Sequence, residues 1–206
     1  MSLVGIVDVG VGNIGSLKSA VDELGFDFCV LDSAAELHKC SSLILPGVGS
    51  FSHGMRAIRE AELVDPILSH AAAGKPLLGI CLGMQLLFSS GDEGGNSASL
   101  GLIPGTVRKM ERRGSLQIPH VGWNDINFIR KHSIWRGVKP GVDFYFVHGY
   151  RVVCDQEFVI GVTAHGEDFP SVVASGNVIG LQFHPEKSQR NGLRMLENFC
   201  LLDSQC

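Results

Sequence analysis

Three side chains of this sequence have the types and settings for nucleophilic chemistry: Cys81, His184 and Glu186. Cys81 is the centre of Gly79-Ile80-Cys81-Leu82-Gly83, a G-x-nucleophile-x-G elbow. Glycines suit an elbow because a sharp strand-to-helix turn presses backbone together and leaves no room for Cβ atoms. The turn lifts the central side chain out of the sheet and sets it at a helix N-terminus, where the dipole favours thiolate over thiol. The bland alternative is a small buried hydrophobe, as most free cysteines are. A cysteine nucleophile needs a base, and the base an orienter. Leu181-Gln182-Phe183-His184-Pro185-Glu186 offers both. Pro185 ends a strand and holds His184 out of the α region. Residues i and i+2 of an extended chain point the same way. Glu186 is therefore expected beside His184, fixing its tautomer while Cys81 passes its proton to the ring. A lone surface His and Glu would mean little, but here each half supplies what the other lacks.

The elements that must hold these residues follow from the pattern around them. Residues 76–80 are a short apolar strand, and 84–88 continue the elbow as a helix. Upstream, 2–9 reads as a buried strand, and Ile14, Leu17, Val21 and Leu24 mark one helical face that Gly25 ends. Residues 26–31 form a second strand, Ser33 caps a short helix to His38, and 43–45 form a third strand. Residues 50–73 are helical in two pieces, with Pro66 near the start of the second. Strand and helix thus alternate up to Phe88, which predicts a parallel sheet with helices on both faces. Residues 89–101, rich in Gly, Ser, Asp, Glu and Asn, read as a loop. Strands are then expected at 105–111, 117–123, 143–148, 150–154, 158–164, 172–174 and 178–183, as an antiparallel extension of the parallel core. Residues 192–202 form a closing helix with Leu193, Leu196 and Phe199 inward.

Composition narrows the function classes. A chain of 206 residues with 45% hydrophobic content suits one domain, 1–206, with a substantial core. Net charge is -4 and no Lys/Arg run tracks phosphates, so no nucleic-acid partner is expected. There is no signal-peptide pattern and no apolar run long enough for a membrane span. The six cysteines are scattered without C-x-x-C pairs, which fits a reducing cytosol, and the eight histidines show no paired metal spacing. No metal and no cofactor is expected.

The elbow with Met84 and Gln85, together with Gln182-Phe183-His184-Pro185-Glu186, resembles the active-site motifs of the class I (triad-type) glutamine amidotransferases. Pro46-Gly47-Val48-Gly49-Ser50-Phe51, Pro119-His120-Val121-Gly122-Trp123-Asn124 and Tyr145-Phe146-Val147-His148-Gly149-Tyr150 are similar to segments of one branch, the glutaminase subunits of imidazole glycerol phosphate synthase. The resemblance spans nearly the whole chain and implies a flavodoxin-like three-layer α/β fold. It implies that L-glutamine is hydrolysed by a Cys81–His184–Glu186 triad. The oxyanion would be held by the N–H of Leu82 and by Val48 or Gly49, whose peptide glycine neighbours allow to rotate. Gln85 and Glu93 would hold the glutamine, and Gly149 and Tyr150 would present backbone to its carboxylate. Gly149 stands where the branch commonly has Ser or Thr, and Val9 departs from a common aromatic. Ammonia protonates in water and needs delivery to an acceptor on another protein, and the resemblance implies that this partner is a (β/α)8-barrel cyclase. Gly12, Asn13, His120, Trp123 and Asn124 would face it, with Trp123 as anchor.

Other readings stand beside this one. Gly10-Val11-Gly12-Asn13-Ile14-Gly15 is a formal G-x-G-x-x-G match, with Asp32 at about the spacing of a ribose ligand, which would suit a dinucleotide-binding module. That reading leaves the cysteine elbow and the His-Pro-Glu segment unexplained. A stand-alone cysteine hydrolase of the same fold, or an amidotransferase subunit of another pathway, would share the triad.

Overall fold

Short β-branched segments and amphipathic helices alternate in the first half, and each buries its apolar side against the next. A computed structural model describes residues 3–10, 12, 14–95, 97–112 and 116–202. Its elements run β1 (Leu3–Val7), α1 (Ile14–Glu23), β2 (Asp27–Leu31), β3 (Ser42–Gly47), α2 (Phe51–Glu60), α3 (Val64–Ala72), β4 (Leu77–Cys81) and α4 (Leu82–Leu86). Then follow β5 (Phe88–Gly91), β6 (Ser97–Ala98), β7 (Ile103–Lys109), β8 (His120–Asp125), β9 (Asn127–Phe128), β10 (Asp143–His148) and β11 (Tyr150–Val153). The chain closes with β12 (Val159–Ala164), β13 (Asp168–Ser175), β14 (Val178–Leu181) and α5 (Gln189–Cys200).

The main sheet has the order β2-β1-β3-β4-β14-β13-β12-β9. β2, β1, β3, β4 and β14 are parallel, and β13, β12 and β9 extend them antiparallel. Alternate residues of each strand feed separate cores. Ile44 and Ile80 pack with Leu17 and Val21 of α1 and Leu196 and Phe199 of α5. Leu43 and Leu45 pack with Met55 and Ile58 of α2 and Ile67 of α3. The three-layer α/β architecture with an antiparallel extension is thus the one expected.

Several local expectations are corrected. The helix after the elbow is a single short one, and Phe88 opens β5 instead of prolonging it. The expected loop at 89–101 contains strand, because Ser90 and Gly91 pair with Thr106 and Val107 of β7 and with β6. Pairing partners there override a Gly/Ser composition that disfavours strand. Four expected strands do not join the main sheet. β10 and β8 make a two-stranded ribbon, while β11 and β7 sit in a four-stranded sheet with β5 and β6. The strand expected at 117–123 begins at His120, since Pro119 has no N–H to give a ladder. Ser33 precedes a 3-10 turn, Ala34–Lys39, without a side-chain capping bond. Leu193 is only partly buried, whereas Leu196 and Phe199 are fully so.

Register sets the site. Gly47 lies opposite Cys81, and Leu181 lies opposite Ile80. Val48-Gly49 and Gln182-Phe183-His184 therefore leave the sheet on either side of the nucleophile, at one edge.

Candidate active site

Cys81 ends β4 with φ 55 and ψ -108, a left-handed conformation that a non-glycine residue holds only under constraint. The glycines around it supply that constraint. A Cβ on Gly83 would fall 1.7 Å from the Leu45 carbonyl oxygen, and one on Gly79 would fall 2.7 Å from the Gly83 carbonyl carbon. The side chain is 6% exposed. Its sulfur lies 3.9 Å from the Val147 carbonyl and 3.8 Å from Nε2 of Gln182.

His184 is clamped by backbone. Its N–H donates to the Tyr145 carbonyl at 2.9 Å, its carbonyl accepts from Ser188 Oγ at 2.6 Å, and that hydroxyl accepts from Tyr145 N–H at 2.9 Å. The ring Nδ1 meets Glu186 Oε1 at 2.8 Å, with both side chains buried. An ionised carboxylate only accepts, so Nδ1 carries the proton and Nε2 is left for Cys81. Glu186 reaches the ring differently from the expectation. His184 itself is extended, but Pro185–Lys187 is a 3-10 turn, and that turn curls the carboxylate back. Burial alone would push the imidazole pKa down. Hydrogen bonding and charge from Cys81 and Glu186 outweigh burial and raise it to about 9. Nε2 has no protein hydrogen bond of ordinary length, so the pull from Cys81 acts across a looser approach.

A cleft of about 410 Å³ opens over the sulfur, lined by Val48, Gly49, Cys81, Leu82, Gln85, Glu93, Pro119, Val147, His148, Gly149, Tyr150 and Lys187. It gathers the substrate and oxyanion candidates read from the sequence. A cleft of equal volume around Phe128, His132 and Trp135 has no cysteine or carboxylate in its lining. Gly49 has φ +98, and Val48 is 41% exposed. Gln85 is buried and donates from Nε2 to the Tyr150 carbonyl at 3.3 Å and to Gln182 Oε1 at 3.1 Å. Both amide hydrogens are thereby used, and Oε1 is the atom left for a ligand. Glu93 has a second task that the sequence reading missed: Oε2 accepts from the Phe51 N–H at 2.8 Å at the start of α2. Gln182 and His148 fall within the sequence motifs, but nothing in their spacing marks a role for them. The contact of Gln182 with the sulfur and the place of His148 in the cleft both depend on pairing across the fold.

The residues expected to face a partner divide. Trp123 is 48% exposed and edge-on to Tyr145 at 5.9 Å, so it is no core tryptophan. Val121 and Val147 are exposed across from each other on the same ribbon. The expectation for His120 is corrected. Strand alternation turns it inward, 3% exposed, stacked on Phe146 and His165. Asn124 is half-buried and gives its amide to the Ala164 carbonyl at 3.0 Å and to His120 Nε2 at 3.3 Å. Gly12 is partly buried beside Pro46, and Asn13 lies outside the described residues. Gly10, with φ +76, is turned by a bond from its N–H to Asp8 Oδ1 at 3.0 Å, an ordinary Asx turn. Among the described residues no group of three or more His, Cys, Asp and Glu could hold a metal, and no helix is long and apolar enough to cross a membrane.

Comparison with known proteins bears on the family and the fold. The model of the glutamine amidotransferase class-I family matches residues 5–202. The imidazole glycerol phosphate synthase subunit HisH of Moorella thermoacetica is 44% identical over 200 residues, covering 97% of this chain and 94% of its own. The subunit of the same name from Desulfitobacterium hafniense is 44% identical over 198 residues, covering 96% and 93%. Among solved structures, PurLQS of Thermotoga maritima superposes with a TM-score of 0.77 at 21% identity, covering 96% of this chain and 97% of that one. A glutamine amidotransferase structure gives 0.76 at 20% identity, with 98% of each chain covered. At such identities these two speak for the fold, while the family match and the HisH relatives speak for kinship: the chain is a member of the class-I glutamine amidotransferase family.

Proposed function

We propose that this chain is the glutaminase subunit of an imidazole glycerol phosphate synthase, acting as one domain over 1–206. The observation that carries the reading is the buried His184–Glu186 pair at 2.8 Å, with the free ring nitrogen left for Cys81 under the cleft. The relatives that cover nearly all of this chain carry that subunit's name.

Cys81 passes its thiol proton to His184, whose pKa of about 9 favours the imidazolium, and the sulfur then attacks the side-chain amide carbon of L-glutamine. The tetrahedral oxyanion is met by the Leu82 N–H and by a peptide N–H of the Val48-Gly49 loop. Losing one such donor typically costs roughly 100- to 1,000-fold in rate. His184 returns the proton to the amide nitrogen, ammonia leaves, and water attacks the γ-glutamyl thioester with the same ring as base. Glutamate then departs and the thiol is restored. Glu186 holds the ring tautomer and balances the imidazolium. Gln85 Oε1 accepts from a donor group of the glutamine, Glu93 sits toward its ammonium end, and Gly149-Tyr150 meets its carboxylate. The ammonia passes to a cyclase with a (β/α)8 barrel, docked on the Trp123 face, in the cytosol.

The test is glutamate production with and without the cyclase and its nucleotide substrate. Stimulation by orders of magnitude is expected. Full activity of the isolated chain would instead favour a stand-alone cysteine hydrolase.

A further inference from the structure

The inner face of the exposed ribbon carries a group of polar side chains that the mechanism does not use. His120 of β8 and His148 of β10 stand opposite each other, and Nδ1 of His120 lies 3.1 Å from Nε2 of His148. His148 Nδ1 lies 2.8 Å from the Tyr150 carbonyl. A carbonyl can only accept, so His148 carries its proton on Nδ1 and offers a lone pair at Nε2. His120 must then donate from its own Nδ1, which leaves Nε2 as an acceptor, and the Asn124 amide lies there at 3.3 Å. The Asn124 amide orientation is fixed in turn. Its nitrogen also gives to the Ala164 carbonyl at 3.0 Å, and its oxygen accepts from the Asp125 N–H at 3.0 Å. Every bond in the series runs one way.

The series does not stop at Tyr150. The same carbonyl takes its second hydrogen bond from Gln85, whose other hydrogen goes to Gln182 Oε1. Gln182 then points its own amide at the Cys81 sulfur, 3.8 Å away. We infer that Asn124, His120 and His148 are positioning residues for the glutamine hydrolysis proposed above: their hydrogen bonds run one way from Asn124 to the Tyr150 carbonyl and fix it, and that carbonyl, which also accepts from Gln85, sets the Cys81 sulfur through Gln85 and Gln182. The chain needs both rings neutral. Burial supplies this, aided by the charge of His165: it pushes His120 down to about 4. Burial also pushes His148 down to about 3, against the opposing bond to Tyr150 and with the charges of His120, His165 and His184. A wrong tautomer at either ring would set two N–H groups, or two lone pairs, against each other.

The direction of the chain distinguishes it from packing. Asn124→Asp keeps the shape but puts an acceptor against His120 Nε2, which calls a proton to that nitrogen and takes the donor away from His148. Asn124→Ala removes one donor and leaves the direction intact. Two measurements on the full chain test this. The first is the long-range 15N–1H spectrum of the labelled imidazoles, in which wild-type His120 and His148 are expected as neutral Nδ1–H forms. The second is glutamate production in the complex. Asn124→Asp is expected to lower kcat about tenfold or more, the scale of one buried bond left unmade, with His120 now protonated on Nε2. Asn124→Ala is expected to lower it less. An Nε2–H ring at either position of the wild type overturns the inference even if a variant fails to fold. So does an Asn124→Asp enzyme no slower than Asn124→Ala. Glutamate production by the wild type separately checks the functional reading on which the inference rests: if it is absent while both rings are Nδ1–H, that reading fails and not the tautomer chain.

Discussion

Cys81 and His184 define each other's chemistry. The ring is held at a pKa of about 9, above the ordinary 6.5, against a burial that would lower it. A raised folded value contributes stability that is fully present below about 6.5 and is lost as pH climbs through about 9. Cys81→Ala removes one of the two partners that raise it. The ring's titration midpoint, followed by its carbon-bound proton resonances, is therefore expected to move down in Cys81→Ala, and glutamine hydrolysis to be abolished. An unchanged midpoint would separate the two side chains. Glu186→Gln keeps a hydrogen-bond acceptor for Nδ1 but loses the charge that balances the imidazolium. It is expected to lose less activity than His184→Ala, which forfeits the roughly 100- to 10,000-fold of general acid–base catalysis. Equal losses in kcat/KM would deny Glu186 its separate role. The types and spacing of these three residues were legible in the sequence, because the elbow and the His-Pro-Glu segment are contiguous motifs. The contacts of Gln182, His148 and the second oxygen of Glu93 were not, since each joins segments far apart in the chain.

At the scale of elements, the elbow works because β4, α4 and β3 approach until only glycine fits. Gly83→Ala would drive a Cβ to 1.7 Å from the Leu45 carbonyl, and neither backbone segment can retreat without breaking the parallel sheet. A loss on the order of 3 kcal/mol or more is expected, read as a lower urea midpoint at unchanged slope. Gly49 poses the opposite case. A Cβ there would meet nothing within 4 Å, so only its φ of +98 restricts substitution. Gly49→Val, β-branched at positive φ, would pull the loop from this conformation at a cost of about 1–3 kcal/mol. Stimulation by the cyclase is expected to fall further than the affinity for it, with glutamate production and the dissociation constant as paired measurements. The first half of the sheet could be read ahead because strand and helix periods alternate without interruption as far as the elbow. The second half could be read only as strands. Whether 105–111 or 143–148 joined the main sheet depended on partners elsewhere, and both pair outside it. The inward place of His120 has a related reason: neighbours in sequence on a strand face opposite ways, so exposure of Trp123 implies burial three residues earlier.

Across the whole molecule, the ribbon of β8 and β10 has an outer and an inner face with different duties. Outside, Val121, Trp123 and Val147 are exposed. Inside, the histidine series leads toward the cleft. Trp123→Ala is expected to weaken binding to the cyclase by about 2 kcal/mol, roughly thirtyfold, as for a central aromatic anchor. It should leave the fold unchanged, because Trp123 is about half exposed and belongs to neither hydrophobic core. Calorimetric titration against the cyclase would measure it, and an unchanged dissociation constant would move the interface elsewhere. The account as a whole rests on Cys81 being the nucleophile that glutamine meets. The direct measurement is to incubate the complex with 6-diazo-5-oxo-norleucine, a glutamine analogue that traps the attacking atom, and to locate the adduct by peptide mass spectrometry. The adduct is expected on Cys81, absent from the other five cysteines, and suppressed by excess glutamine. An adduct on Cys29 or Cys154, or none at all while glutamine is still hydrolysed, would contradict it.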